Sequence, residues 1–155
     1  MRRRTRAISF WCGYGEVLAL VVAFIATLGS LYLSEIVGFV PCKLCWYQRI
    51  LMYPITLIVL VGILKNEKHL PAYILPFSII GIGVSTYHYL IQLGLYGQPA
   101  GCVVGIPCNV RYVNYFGFVT IPLLALIAFI AITVIALAVR WACDKSNELE
   151  AVDAA

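Results

Sequence analysis

Four cysteines fall into two pairs whose spacing suits sulfur chemistry. Cys42 and Cys45 form a C-x-x-C in Pro41-Cys42-Lys43-Leu44-Cys45, and Cys102 and Cys108 lie in the segment GCVVGIPCN that begins at Gly101. A two-residue spacer suits cycling redox pairs and metal sites more often than passive staples. Disulfide exchange runs through the thiolate, and the C-x-x-C stands where an apolar helix begins, so the positive end of the helix dipole favours ionised sulfur there. In the second pair, glycine and proline let a tight ring close. Two other readings stand beside exchange: static disulfides that brace short loops, and one zinc site built from both pairs. No metal site is expected, because structural zinc typically sits in small reduced domains rather than at an oxidising membrane face. Cys12 and Cys143 fall near the charged ends of the apolar blocks and read as reduced packing residues.

Arg49 follows Cys45 by four residues, so the two side chains share one helical face about one turn apart. Arginine at mid-bilayer costs about 3 kcal/mol, so this residue either snorkels to the interface or is employed. Employed, its guanidinium can stabilise charge on the Cys45 sulfur and donate hydrogen bonds to a carbonyl oxygen such as a quinone's. His88 and Gln92 form an i, i+4 pair at a similar depth. They read either as interhelical hydrogen-bonding glue or as a pocket wall facing the second carbonyl oxygen. Glu35 can pair with Arg49 or face water, and water is the expectation.

The elements that position these residues are legible from composition. The chain has 155 residues, 63% hydrophobic and 12% charged, against roughly a quarter charged in a soluble domain. The apolar residues gather in four blocks, at about 14–37, 45–64, 71–93 and 117–139, each near the roughly 20 residues a helix needs to cross hydrocarbon. Lipid offers no partner for backbone amides and the blocks lack the alternation of a membrane barrel, so helices are expected. The fold class is therefore all-α integral membrane, one domain over residues 1–155, a four-transmembrane-helix bundle. Pro54, Pro76 and Pro122 lie inside or near the starts of these spans, where neighbouring helices absorb the kinks.

Charge sets the expected orientation. Eight of the eleven Lys and Arg residues fall in the N-terminus, the loop after Leu64 and the C-terminus, which places both termini in the cytoplasm. The outer loops, about 38–44 and 94–116, then carry the four paired cysteines on the extracytoplasmic side of the cell membrane. The net charge of +4 forms no basic face with stacking aromatics, so nucleic acid is not expected as a partner. The first apolar run is too long for a secretory signal and lacks a small-residue cleavage site, so it reads as an uncleaved span. The polar tail from Asp144 reads as mobile. Trp46, Tyr47, Tyr53, Tyr96, Tyr112, Tyr115, Phe116 and Phe118 read as an interfacial belt, a few of them available to line a pocket.

With these residues in hand, the chain resembles the DsbB/BdbC family of disulfide-bond-forming membrane oxidoreductases, and most closely its Gram-positive BdbC branch. The resemblance covers nearly the whole chain from the first span through the fourth. It is carried by PCKLCWYQRI from Pro41, by His88-x-x-x-Gln92 and by the loop cysteines. It implies a relay in which a DsbA/BdbD-like thioredoxin-fold protein is reoxidised by Cys102/Cys108. Electrons then pass to Cys42/Cys45 and on to a membrane quinone, menaquinone by analogy with the Gram-positive branch. By the same resemblance Cys102 forms the mixed disulfide with the partner, Cys108 reaches across to Cys42, Cys45 is the thiolate that engages the quinone, and Arg49 binds it. Gram-negative members space their loop cysteines more widely, so the resemblance leaves the geometry of transfer between the two pairs open. A DsbA-like partner sits at about −120 mV, and each 30 mV of mismatch in a two-electron exchange is about 1.4 kcal/mol. Such a partner therefore needs a strongly oxidising terminal acceptor. The competing readings are a structural four-helix membrane protein with static extracytoplasmic disulfides and, more weakly, a reductase of a small quinone-like substrate such as vitamin K epoxide.

Overall fold

The computed structural model describes residues 2–67, 69–97, 99, 102, 107–112 and 119–153. Four long helices carry the chain: α1 (Arg2–Leu31), α2 (Lys43–Lys65), α3 (Leu70–Gln92) and α4 (Ile121–Asp153), with a π-helical turn over Tyr32–Ile36 extending α1. The segments long and apolar enough to cross a membrane are Phe10–Ile36, Lys43–Lys65, Leu70–Gln92 and Ile121–Ser146. They match the four expected spans to within a few residues at most ends. Residues 117 and 118, at the expected start of the fourth, lie outside the described set.

The helices form a ring in which each packs against its sequence neighbour and α1 closes against α4, while α2 and α4 touch only lightly. Phe129, Ile55, Val59, Ile132, Leu70 and Ala23 are fully or almost fully buried at its centre. Large apolar side chains such as Ile25, Leu57, Ile79 and Val134 remain more than half exposed. That pattern suits a bundle whose outer surface meets lipid rather than water. Backbone approach is closest where side chains are missing: Gly81 lies directly under the Phe129 ring, and Gly62 under Leu70. Pro54 and Pro76 sit inside continuous helices, as expected.

The helix ends fix where the loops go. Asn66, in the left-handed region at φ 52°, ends α2, and the Glu67 amide bonds back to the Gly62 carbonyl at 2.9 Å, a C-terminal capping geometry that turns the chain into α3. Gly94, at φ 78°, ends the last turn of α3.

The polar tail from Asp144 continues α4 as helix through Asp153; it contains no Gly or Pro, and Lys145 and Glu148 pair across one turn at 2.6 Å. One expectation is corrected. Cys12 and Cys143 are joined in a disulfide across 131 residues of sequence, not left as separate packing thiols. The cause is the antiparallel α1/α4 contact, in which Gly15 lets Val139 close in and brings the start of one helix beside the end of the other.

Any side chain at Gly81 meets the Phe129 ring. Gly81→Ala is expected to destabilise the bundle by about 1–3 kcal/mol, the usual range for overpacking. Adding Phe129→Leu should recover part of that loss in thermal unfolding of the detergent-solubilised protein. Simple additivity of the two losses would count against the contact.

Candidate redox site

Cys42 is the N-cap of α2, with extended backbone (φ −71°, ψ 172°), and its carbonyl accepts the Trp46 amide at 3.1 Å. The unpaired amides of the first turn surround its position, so the helix dipole acts on the sulfur as the spacing implied. Cys45 lies one turn on, its sulfur 3.3 Å from that of Cys42, and both are free thiols. Cys102 and Cys108 form a disulfide. The two pairs are not separate: Cys42, Leu44, Ile91, Cys102 and Cys108 make one buried cluster, with Cys45 packed against it. The five-residue spacing of the loop cysteines therefore still brings the loop disulfide onto the C-x-x-C.

His88, only 1% exposed, joins the parts. Its Nε2 is 3.1 Å from the Cys108 carbonyl oxygen and 3.7 Å from the Cys42 sulfur, and its Nδ1 is 3.2 Å from Gln48 Nε2. A carbonyl can only accept, so Nε2 carries the hydrogen, and Nδ1 accepts from the Gln48 amide. Further along, Gln92 Nε2 donates to the Val110 carbonyl at 3.1 Å. Arg111 donates through Nε and Nη2 to the carbonyl of Gln92, closing the C-terminal end of α3 with a charge that suits the helix dipole. Three contacts thus fasten residues 108–111 to the last turns of α3.

A cavity of about 580 Å³ opens on the other side of α2. Its walls are mostly apolar side chains of α1, α2 and α4, among them Val22, Ala26, Met52 and Leu124, and its polar groups include Cys45, Gln48, Arg49, Ser30 and Tyr53. Arg49 Nη2 donates to the Ser30 carbonyl at 2.9 Å, and its guanidinium lies 5.6 Å from the Trp46 ring centre. Phe39 and Tyr112 stack at 4.9 Å and both border the cavity. Of the expected aromatic belt, Trp46, Tyr47, Tyr96 and Tyr112 are exposed, Tyr53 and Tyr112 line the cavity, and Tyr115, Phe116 and Phe118 lie outside the described residues.

The sequence-derived site residues therefore divide. Cys45 and Arg49 share the cavity, as their i, i+4 spacing required. His88 and Gln92 do not line it; they are turned toward the loop disulfide, because their face of α3 is covered by residues 108–111. Glu35 is exposed, bonded to Ser34 rather than to Arg49. Gln48 and Arg111 escaped the sequence reading. Gln48, 5% exposed, was visible as an amide three residues past Cys45 in an apolar span, whereas Arg111 gave no signal beyond its charge.

In the dithiol, the Cys42 sulfur at the head of α2 is set up to carry charge. A Cys42 thiolate accepts the Cys45 S–H and faces His88 Nε2, which together outweigh burial and pull its pKa down to about 4. In reduced protein, alkylation of Cys42 by a small reagent, read by peptide mass, should stay nearly flat as pH falls from about 8 to about 5. An ordinary thiol, with a pKa near about 8.5, loses most of its thiolate over that range. Cys45→Ala removes the main donor and should move the fall in rate upward. A tenfold loss per pH unit below neutrality in both proteins would contradict this arrangement.

A family profile described as "Disulfide bond formation protein DsbB" matches residues 15–139. The chain is 54% identical over 116 residues to "Disulfide bond formation protein C" of Bacillus subtilis (strain 168), covering 74% of this chain and 83% of that protein. It is 51% identical over 122 residues to "Probable disulfide formation protein C 1" of Bacillus anthracis, covering 78% and 88% respectively. With "Probable disulfide formation protein C" of Halalkalibacterium halodurans the identity is 49% over 118 residues, covering 76% and 86%. No solved structure matches the chain significantly.

Proposed function

Because this chain belongs to the DsbB family of disulfide bond formation proteins, multi-pass membrane oxidoreductases with redox cysteines, we propose that it is a protein dithiol:quinone oxidoreductase. In this reading it reoxidises an extracytoplasmic thioredoxin-fold protein of the DsbA/BdbD kind and so drives disulfide formation in secreted proteins. The observation that carries the reading is the shared cluster: the loop disulfide is packed on the C-x-x-C, and Cys45 opens on a cavity that also holds Arg49.

The chemistry balances as two thiol–disulfide exchanges followed by one oxidation. The reduced partner gives two electrons to the Cys102–Cys108 disulfide and leaves oxidised, through a mixed disulfide with Cys102. The freed Cys108 sulfur attacks Cys42 of a Cys42–Cys45 disulfide, and Cys45 departs as the leaving thiolate. Cys102 then closes on Cys108, and the Cys42 sulfur leaves. The result is a loop disulfide beside a Cys42/Cys45 dithiol, the arrangement the structure holds. His88 serves this exchange: its Nε2–H faces both the Cys108 backbone and the Cys42 sulfur, so it fixes the loop and stabilises charge on the departing sulfur.

The cavity fits a quinone. About 580 Å³ with apolar walls suits a flat ring and isoprenoid tail. Arg49 spends one hydrogen bond on Ser30 among the described residues, and a guanidinium has five N–H groups, so donors remain for a carbonyl oxygen. A quinone bound there, menaquinone by family analogy, would take the two electrons released when the Cys42 thiolate and the Cys45 thiol close to a disulfide, with one proton from Cys45 and one from water. The cysteines face the extracytoplasmic side in this reading, with both termini inside, on the strength of the charge distribution.

Purified protein is expected to oxidise a reduced DsbA-like protein at the expense of a soluble quinone analogue. Changing any one of Cys42, Cys45, Cys102 or Cys108 to Ser should abolish turnover while the protein stays in the membrane. Normal quinone reduction by Cys45→Ser would defeat the proposal. Arg49→Ala should raise the KM for quinone about 10- to 100-fold, the loss of a hydrogen bond from a charged donor. The KM for the protein substrate should change little, and equal effects on both would make Arg49 a structural residue.

A further inference from the structure

The sequence offers a metal two outer cysteine pairs, and the structure adds a third donor from another helix. Among the described residues, the Cys42 and Cys45 sulfurs and a His88 ring nitrogen all lie within 4.8 Å of one another. The Cys42–Cys45 separation is 3.3 Å and the Cys42–His88 separation is 3.7 Å. With Zn–S bonds of about 2.3 Å and Zn–N bonds of about 2.0–2.1 Å, a tetrahedral ion sets its ligand atoms about 3.5–3.8 Å apart. Two edges of that tetrahedron are therefore present to within about half an ångström, and the third needs a side-chain adjustment of about 1 Å.

We propose that the reduced C-x-x-C and His88 form a binding site for a thiophilic divalent cation, Zn2+ or Cd2+, on the protein's dithiol state. Charge favours it: two thiolates and a neutral imidazole cancel the dication, so the complex can sit among residues as buried as Cys42 and His88, 5% and 1% exposed, without a net buried charge. The ligand polarity can also be met. His88 must give up its Nε2 hydrogen, and the proton then belongs on Nδ1, where the Gln48 amide, turned over, offers its oxygen as acceptor. A hydrogen-bonded second nitrogen is the usual support for a metal-bound imidazole. The Cys108 carbonyl oxygen, 3.1 Å from Nε2, or a water completes the coordination. Binding at neutral pH displaces the Cys45 thiol proton, Cys42 being already ionised, and moves no electrons. It requires both sulfurs free, so it excludes the Cys42–Cys45 disulfide and attack by Cys108. On the proposed relay, occupancy arrests turnover at the dithiol.

The test reads binding directly, so it stands or falls separately from quinone activity. Full-length protein carrying Cys12→Ser and Cys143→Ser, to remove the other close pair, is fully reduced and given one equivalent of Zn2+. X-ray absorption should show two sulfurs at about 2.3 Å and at least one imidazole nitrogen at about 2.0–2.1 Å. A shell of four sulfurs, or the absence of stoichiometric binding, overturns the site. Cd2+ titration, followed by thiolate-to-metal absorption, should weaken about tenfold or more in His88→Gln and about a hundredfold in Cys45→Ser. Unchanged affinity in a folded His88→Gln protein removes the imidazole from the ligand set. Should that variant fold poorly, the absorption spectrum of the protein with His88 intact still decides.

Discussion

The buried imidazole of His88 is the contact on which the site depends. It reaches a backbone carbonyl of the loop, a sulfur at the start of α2 and an amide on the cavity wall, all from one position on α3. An imidazole this deeply buried must have its nitrogens satisfied. Those obligations tie three segments distant in sequence to one point. Residues 108–111 have no regular structure of their own to hold them in place. Their attachment comes from His88, Gln92 and Arg111, and with it the placement of Cys108 against Cys42.

α2 then separates two environments. On one side the cysteine pairs meet in one buried cluster. On the other, Cys45 and Arg49 open on an apolar cavity. Gln48 belongs to both, lining the cavity while bonded to His88. A single turn of helix thus places a thiol pair between a cluster of sulfurs and an apolar cavity, a geometry that suits the proposed transfer from a protein dithiol to a lipid-soluble oxidant.

The opposite end of the bundle is held differently. There α1 and α4 meet through small residues and the Cys12–Cys143 disulfide, and the cavity lies between the same two helices nearer the C-x-x-C. The covalent tie at one end and the Phe39–Tyr112 stack at the other bracket the slot in which Cys45 is exposed.

The four spans, the placement of a C-x-x-C at a helix start, and the shared face of Cys45 and Arg49 were all fixed by the sequence alone. Each follows from local rules: hydrocarbon thickness sets span length, the dipole acts at the first turn, and 3.6 residues per turn brings i and i+4 together. Tertiary structure alone decided which way His88 and Gln92 face, that the loop disulfide rests on the C-x-x-C, that Cys12 meets Cys143, and that Gln48 and Arg111 matter. In a helix that is apolar all round, periodicity does not say which side meets a neighbour and which meets lipid. Contacts between α1 and α4, or between a loop and α3, depend on how whole helices pack, and no local spacing encodes that.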